Sequence, residues 1–312
     1  MRMVILLLLV LAAPSAWAWG CTGHQVVAML AYSELNPRAR SEADQRLVDL
    51  SQYSSVSHYC PQPALPSFVV VSTWADDLRS IRPETAPWHF IDIPLSAPPP
   101  EYSSFCNPSV GCVVSAIRSA VAALASKKLT PAQETDALIF LIHLVGDIHQ
   151  PLHDETNNDR GGNCLPVAYF GHLPVEGPSE TFRQNLHAIW DTQLVDGLAR
   201  SHGGAGPLVV YLKLQHGATA HQAASNMDYM QWAAYAHLKA ATIAYGRLPI
   251  AVPVEPPVPI GSCMDDNHVS HRLGALRESI GPRYVQAVSG TIEAQLAVAG
   301  IRLAAILNAI WP

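Results

Sequence analysis

Residues 130–153 read TPAQETDALIFLIHLVGDIHQPLH, and this stretch predicts the class of fold. Thr130 can cap a helix, Pro131 suits its first turn and Pro151 limits its end, so we expect a helix from Pro131 to about Gln150. Alanine and leucine dominate the rest of the chain, while alternating β-branched runs are few. That composition favours helices throughout. We therefore expect an all-α fold, built as a single compact multi-helix domain with long loops.

The same stretch carries a pair of side chains that could bind a metal ion. His143 and Asp147 are four residues apart, so on a helix they project from nearly the same face. The spacing recurs at His187 and Asp191 in a second predicted helix, Phe182–Leu198. One such pair alone is often a surface hydrogen bond. Both pairs lie among apolar neighbours, where an unpaired carboxylate would be costly, and this favours metal binding.

Two further histidines follow in the quoted stretch. His149 lies about 200° around the helix from Asp147, so we expect it to point away and to be structural. His153 lies beyond Pro151, where the helix no longer determines its direction. It is therefore free to serve a neighbouring metal ion.

Two upstream fragments add an acid or a histidine beside aromatic residues. They are WAD at 74–76 and WHFID at 88–92. Taken alone, each is better explained by an Asp that caps a helix and by a histidine buried in the core. They gain meaning only together with the other fragments.

The N-terminus predicts export. Arg2 precedes the apolar run Val4–Ala13 and an AWA ending at 16–18, which is typical of a secretory signal peptide at 1–18. The run is shorter than the roughly 20 residues that span a bilayer, so we expect no membrane anchor here. We also expect no later segment long and apolar enough to span a membrane, which leaves 19–312 as one secreted or periplasmic domain. Cleavage would free the amine of Trp19, which titrates near roughly 8 and can bind metal.

Charge and cysteine content narrow the chemistry further. The net charge of −6 is the wrong sign for a protein that grips phosphate through a basic surface, so bound metal would have to supply positive charge. All six cysteines follow the predicted cleavage site, and six cysteines allow 15 disulfide pairings. Cys106 and Cys112 flank a turn-like stretch and are the expected pair. The pairing of the other four stays open: Cys21, Cys60, Cys164 and Cys263.

Read together, these fragments resemble a known family. In chain order they are WGxxGH from Trp19, WAD, WHFxD, HxxGDxxQPLH, GGN and NLHxxWD, ending at Asp191. This set is similar to the type I nucleases, which comprise the fungal single-strand-specific and the plant bifunctional enzymes and are related to bacterial zinc-dependent phospholipase C. Each fragment is weak alone, but the ordered set is specific.

The resemblance implies a cleft with three zinc ions, held by nitrogen and carboxylate ligands without a cysteine. The implied ligands are Asp76, His89, His143 and Asp147 for the first ion, the Trp19 amine and carbonyl, His24 and the shared Asp147 for the second, and His153, His187 and Asp191 for the third.

The resemblance also implies substrate contacts. Arg79 would clamp phosphate and, with Asp147, is the expected catalytic residue. Phe90, Asp92 and Asn163 would line a nucleotide pocket in which Phe90 stacks on a base. The implied substrates are single-stranded nucleic acid and 3′-nucleotides, and we expect a monomer.

The activity implied for 19–312 is that of a secreted zinc-dependent phosphodiesterase that cleaves single-stranded DNA and RNA and 3′-nucleotides, leaving 5′-phosphates. A phospholipase C on the same scaffold is the nearest alternative. The short distance from Trp19 to His24 and the acid at Asp191, where the phospholipase pattern has Glu, speak against it. A secreted protein that binds zinc without catalysis is the other alternative, and assays on nucleic acid and lipid would separate the three.

Overall fold

The computed structural model describes residues 19–126, 128–177, 182–257, 262–263, 274 and 276–312. The predicted signal peptide at 1–18 lies outside them. Within the described residues the helices are α1 Cys21–Glu34, α2 Pro37–Arg46, α3 Ser67–Val70, α4 Trp74–Leu78, α5 Val113–Ser126, α6 Pro131–Asp147, α7 Leu186–Ala188, α8 Val195–Ser201, α9 Ala205–Ala223, α10 Tyr229–Lys239 and α11 Pro282–Ile310. Two three-residue strands, β1 Val167–Tyr169 and β2 Glu278–Ile280, pair in parallel. The all-α class is thereby confirmed.

The helix predicted from the quoted stretch is α6. Thr130 accepts a hydrogen bond from the Gln133 backbone N–H, and the Gln133 side chain accepts one from the Thr130 backbone N–H, which makes a capping box ahead of Pro131. The helix ends at Asp147, slightly earlier than expected, and every residue from Leu138 to Asp147 is buried. The second half of α6 therefore delivers its polar side chains into the interior.

Two buried apolar clusters form the core, and α1 contributes to both. Ala28 and Ala31 belong to the cluster built largely on α5 and α6, while Val26 and Leu30 belong to the one built on α8, α9 and α11. Helix α11 crosses α1 at Gly300, where an added Cβ would lie 2.7 Å from the Leu30 side chain. Glycine is required there because the two helices approach so closely.

The second predicted helix begins and ends later than expected. It was predicted over Phe182–Leu198, but α7 begins only at Leu186 because the Asn185 side chain accepts a hydrogen bond from the Ala188 N–H at 2.8 Å and caps the helix. The chain then passes through a π-helical turn at Ile189–Leu194 into α8. Turns of this kind are frequent at functional sites.

The residues from Thr219 to Tyr245 do not form one continuous helix. The chain breaks between α9 and α10, where the Asp228 side chain accepts hydrogen bonds from the N–H groups of Met230 and Gln231. This cap starts a new helix in a new direction. Helices α2, α3, α4 and α5 emerge only from the structure.

One helix also corrects the expectation about membrane-spanning segments. Helix α11 has 29 residues, and an 18-residue window of it has a mean hydropathy of 1.4, which is long and apolar enough to cross a bilayer. However, 67% of that window is buried inside the protein. A core helix passes the same test of length and composition, and the packing of α11 on α1 accounts for its apolar character.

The structure contains three disulfides: Cys21–Cys60, Cys106–Cys112 and Cys164–Cys263. The second is the expected pair. The first ties the start of α1 to the loop before α3, and the third joins the segment after α6 to the segment before β2. Of the 15 possible pairings, only the tertiary structure selects this one.

Candidate metal centre

Eight predicted ligand side chains converge in the interior. They come from α1, α4, α6, α7, the π-helical turn and the segments between them, and every one is buried. Their ligand atoms form three groups, and within each group these atoms lie within 4.8 Å of one another. The first group contains His24, His143 and Asp147, the second contains Asp76, His89 and His143, and the third contains His153, His187 and Asp191. The sequence spacing placed these residues in pairs at most, and the fold joins the pairs.

Asp147 faces two of the groups at once. Its Oδ1 lies 3.4 Å from Nε2 of His24, while its Oδ2 lies 2.9 Å from Nδ1 of His89 and 3.2 Å from Nε2 of His143. The rings of His24 and His143 stack with centroids 3.9 Å apart. The two oxygens of one carboxylate therefore point into neighbouring groups, which is the arrangement expected of a shared ligand.

Asp76 extends the second group towards the surface. Its Oδ1 lies 3.5 Å from Nδ1 of His89, and its Oδ2 lies 3.7 Å from Nε2 of His143. Arg79 follows one turn later, with a guanidinium nitrogen 3.2 Å from Asp76 Oδ1 and 16% of its side chain exposed. Arg79 thus reaches from the buried group to solvent, where a phosphate could meet it.

The third group brings two imidazoles face to face. Nε2 of His187 lies 3.1 Å from Nε2 of His153 and 3.3 Å from Oδ2 of Asp191. The other oxygen of Asp191 accepts a hydrogen bond from the Gln150 side-chain amide at 2.7 Å. Gln150 was not predicted to have a role. The only sign in the sequence was the position of Gln150 between two predicted ligands, Asp147 and His153.

Backbone carbonyls determine the tautomer of three of the histidines. Nδ1 of His143 lies 2.8 Å from the Ser72 oxygen, that of His153 lies 2.7 Å from the His89 oxygen, and that of His187 lies 2.7 Å from the Gly161 oxygen. A carbonyl can only accept, so each Nδ1 carries the proton. In the neutral ring, which is the form that binds metal, each Nε2 then presents its lone pair to the group. His149 points away instead, with Nε2 2.9 Å from a guanidinium nitrogen of Arg302.

Two glycines make room for these side chains. A Cβ at Gly146 would lie 2.9 Å from Nδ1 of His24, so only glycine lets α1 and α6 approach at this level. Gly161 has a φ of +64°, and a Cβ there would lie 2.3 Å from the Leu152 carbonyl oxygen. These contacts explain why the motif fragments contain glycine at these positions.

The groups contain polar atoms that the protein alone does not satisfy. Among the described residues, both ring nitrogens of His24, Nε2 of His89 and Oδ1 of Asp147 are buried without a hydrogen-bond partner. Orphaned buried atoms of this kind are rare in folded proteins. A cation among them would satisfy the lone pairs, and a donor set of imidazoles and carboxylates suits zinc better than calcium or magnesium.

The pKa shifts of the ligand side chains also fit a positive charge bound among them. Burial raises the pKa of Asp76 to about 6 and raises that of Asp191 well above its ordinary value. Burial lowers the pKa of His89 to about 3. Burial also lowers the pKa of His143, but Asp147 and Asp76 outweigh it and bring the value to about 9. Buried carboxylates gain from a nearby positive charge, so the electrostatics also fit a bound cation.

Trp19 lies directly beside the first group. Its indole is fully buried, and its carbonyl accepts a hydrogen bond from the His24 N–H at 3.1 Å. The indole also lies within 3.9 Å of the place where a Cβ on Gly146 would be. The backbone of Trp19 is therefore anchored next to His24, where a freed amine would be close to the cluster.

The predicted nucleotide-binding residues share a neighbourhood. Phe90 and Asp92 are exposed, while His89, Ile91 and Ile93 between and beside them are buried. In extended backbone this alternation puts Phe90 and Asp92 on the same outward face. The Ile91 N–H donates to the His153 carbonyl oxygen at 2.8 Å, which holds this face against the third group.

Arg160 links Asn163 to the region of Asp92. The Asn163 amide donates to the Arg160 carbonyl oxygen at 2.7 Å. The protein around Asp92 raises the pKa of its carboxyl to about 6 through desolvation, although the Arg160 guanidinium opposes the rise. Arg160 was not predicted to have a role. Arg160 is exposed, and its sequence position gave no sign that it lies near Asp92.

Comparison with known proteins identifies nucleases as relatives of this chain. A family model described as S1/P1 Nuclease matches residues 19–312. Nuclease P1 of Penicillium citrinum is 30% identical over 312 residues, covering 94% of this chain and 97% of that protein. Nuclease S1 of Aspergillus oryzae is 33% identical over 192 residues, covering 60% of this chain and 58% of its own length. Endonuclease 2 of Arabidopsis thaliana is 30% identical over 203 residues, covering 62% of each chain.

Proposed function

The chain belongs to the S1/P1 nuclease family, and on that premise we propose that it is a zinc-dependent hydrolase of single-stranded DNA, single-stranded RNA and 3′-nucleotides. Membership of the family makes it a phosphodiesterase that acts on nucleic acid. The single observation that carries the finer proposal is the position of Asp147, whose two carboxylate oxygens point into two groups of buried histidines.

The proposed metal ligands are the eight buried side chains and the N-terminal residue. Asp76, His89, His143 and Asp147 would hold one zinc ion, the Trp19 amine and carbonyl, His24 and Asp147 a second, and His153, His187 and Asp191 a third. The orphaned nitrogens of His24 and His89 and the orphaned oxygen of Asp147 support the first two of these ions. When bound, zinc would lower the pKa of water at the site and neutralise negative charge on a phosphate.

The side chains of the protein would orient the substrate for hydrolysis. Water adds to phosphorus, the bond between phosphorus and the 3′-oxygen breaks, and that oxygen leaves with a proton, so the released phosphate stays on the 5′ side. Arg79 would donate hydrogen bonds to the non-bridging phosphate oxygens from the edge of the second group. Its contact with Asp76 holds the guanidinium in place.

The face formed by Phe90 and Asp92 would give the preference for single strands. A base can stack on Phe90 while Asp92 and Asn163 accept and donate hydrogen bonds at its edge. A base within a duplex would first have to leave its stack, which costs a few kcal/mol. The net charge of −6 offers no general attraction for a polyanion, so the recognition would depend on the metal groups and Arg79.

We also propose a location and an oligomeric state for the protein. Three disulfides suit an oxidising compartment, and together with the predicted signal peptide they support a secreted or periplasmic location. We further propose that the mature protein is a monomer without a membrane anchor, which light scattering of the purified protein would test.

Hydrolysis assays with metal analysis test the main proposal. The mature protein should contain three zinc ions per chain and should cleave single-stranded DNA, RNA and 3′-nucleotides faster than a choline phospholipid. Activity on the lipid alone would contradict the proposal in favour of a phospholipase. A full complement of zinc without any hydrolysis would indicate a zinc-binding protein instead.

A further inference from the structure

A recess of about 140 Å³ borders the metal groups away from Phe90. Its lining includes His24 and Asp76, which belong to the first and second groups, together with Tyr59, Thr73 and Thr192. Neither Phe90 nor Asp92 lines it, so it is distinct from the predicted nucleotide pocket. The recess therefore gives a second approach to the same buried ligands.

Tyr59 is an exposed aromatic residue on this recess. It is 69% exposed, against 36% for Phe90. Its backbone is held firmly: the Tyr59 N–H donates to Oδ1 of Asp77 at 3.1 Å, and Oδ2 of Asp77 lies 2.8 Å from Nδ1 of His58. Asp77 follows directly after Asp76, so the position of Tyr59 is coupled to a proposed metal ligand.

Two further contacts fix the loop that carries Tyr59. The ring of His58 stacks on Trp74 at the start of α4, with centroids 4.3 Å apart. Cys60 forms the disulfide with Cys21, two residues after Trp19. An aromatic residue presented to solvent on such a rigid loop can bind a flat partner with little loss of conformational entropy.

The lining of the recess suits a sugar as well as a base. The Thr73 hydroxyl is buried and has no hydrogen-bond partner among the described residues. Thr192 contributes a second side-chain hydroxyl. Hydroxyl groups beside an exposed aromatic ring match the chemistry of a nucleoside, with a polar sugar attached to a flat base.

A phosphodiester has a nucleoside on each side of the scissile phosphate, whereas a 3′-nucleotide has only one. In the proposed function, the Phe90 face binds the nucleoside whose 3′-oxygen leaves, because that nucleoside is common to both kinds of substrate. The second nucleoside, attached through its 5′-oxygen, must then leave the metal groups by another route. The recess at Tyr59 is such a route.

We propose that Tyr59 is the stacking platform for the nucleoside on the 5′-oxygen side of the scissile phosphate, with the adjoining recess taking its sugar. The inference rests on the proposed function. It makes Tyr59 a positioning residue for di- and polynucleotides and gives it no part in the hydrolysis of 3′-nucleotides.

Tyr59→Ala, assayed on the metal-loaded mature protein, tests this with two substrates. For the dinucleotide thymidylyl-(3′→5′)-thymidine, kcat/KM should fall about tenfold, the effect expected for loss of one base stack. For thymidine 3′-phosphate, kcat/KM should stay within about twofold of the wild-type value, since that substrate never reaches the recess. Tyr59→Phe should keep both rates, because the ring remains.

Tyr235→Ala is the matched control. Tyr235 is also an exposed tyrosine, at 50%, but it lies on α10 away from the recess, and its replacement should change neither rate. Equal losses by Tyr59→Ala on both substrates would mean a structural role, and unchanged rates on both would mean none; either result overturns the inference alone. A wild-type protein that hydrolyses neither substrate would overturn the proposed function and this inference with it.

Discussion

Gln150 donates a hydrogen bond from its side-chain amide to Oδ1 of Asp191, at 2.7 Å in the interior of the protein. This contact leaves the other oxygen of Asp191 facing His187. The Gln150 side-chain oxygen in turn accepts from the Leu152 N–H, also at 2.7 Å. Gln150 therefore orients a proposed ligand without itself belonging to a metal group.

Gln150→Ala should weaken metal binding at the third group. Outer hydrogen bonds of this kind typically change metal affinity about 10- to 100-fold when they are removed. Competition with a zinc chelator should show one ion per chain released at lower chelator concentration. Gln295→Ala is the matched control, because Gln295 is equally buried and donates to the His149 carbonyl, away from the groups. Equal zinc affinity in both variants would contradict the role of Gln150.

Asp147→Asn should remove metal from two groups, because its oxygens face His24 on one side and His89 and His143 on the other. Loss of one electrostatic stabiliser alone costs about 10²–10³ in kcat, so activity should fall at least that far. Asp191→Asn should affect only the third group. Metal analysis of both variants checks this, and near-normal turnover of Asp147→Asn would falsify the shared-ligand proposal.

Gly146→Ala should destabilise the protein and disturb His24, although alanine is the better helix former by about 1 kcal/mol. The reason is the 2.9 Å separation between the added Cβ and Nδ1 of His24. Gly290→Ala in α11 is the control, since its added Cβ meets nothing within 4 Å. It should stabilise by about 0.5–1 kcal/mol. Thermal unfolding of the two variants should shift in opposite directions, and parallel shifts would count against the close approach.

One residue added before Trp19 in the mature chain should lower metal content and activity. The extension would replace the free amine with an amide, which is a poor ligand, and would push new backbone against the buried indole. Metal analysis of the extended protein, with its N-terminus sequenced, measures this. If three zinc ions and the full rate persist, the N-terminal amine is not a ligand.

Binding of 3′-nucleotides should weaken below about pH 6 if Asp92 accepts a hydrogen bond from the base. Desolvation by the surrounding protein raises the pKa of Asp92 from its ordinary value to about 6, so the carboxylate predominates only above that pH. Protonation on lowering the pH removes an acceptor, and KM should rise about tenfold. Asp92→Asn should show a high KM with no such step. A wild-type step that survives in Asp92→Asn must come from another group.

Several features of this protein could be predicted from the sequence because they depend on short-range geometry. A helix period of 3.6 residues puts His143 and Asp147 on one face and sends His149 to the other. Thr130 and Pro131 mark a helix start through their own backbone chemistry. Residue type alone restricts the ligand atoms to imidazole nitrogen and carboxylate oxygen. The ordered motif fragments then indicated the family.

The assembly of the candidate site was decided by the tertiary structure. The sequence did not show that Asp147 would divide its oxygens between His24 and His89, that Gln150 would hold Asp191, or that Tyr59 would border the groups. The contacts of Asp147 and Gln150 join residues from 41 to 123 positions apart, and the position of Tyr59 depends on how its loop packs on the helices. Local periodicity sets the direction of a side chain within its own helix, but which side chains meet depends on how helices pack, and packing is a property of the whole chain.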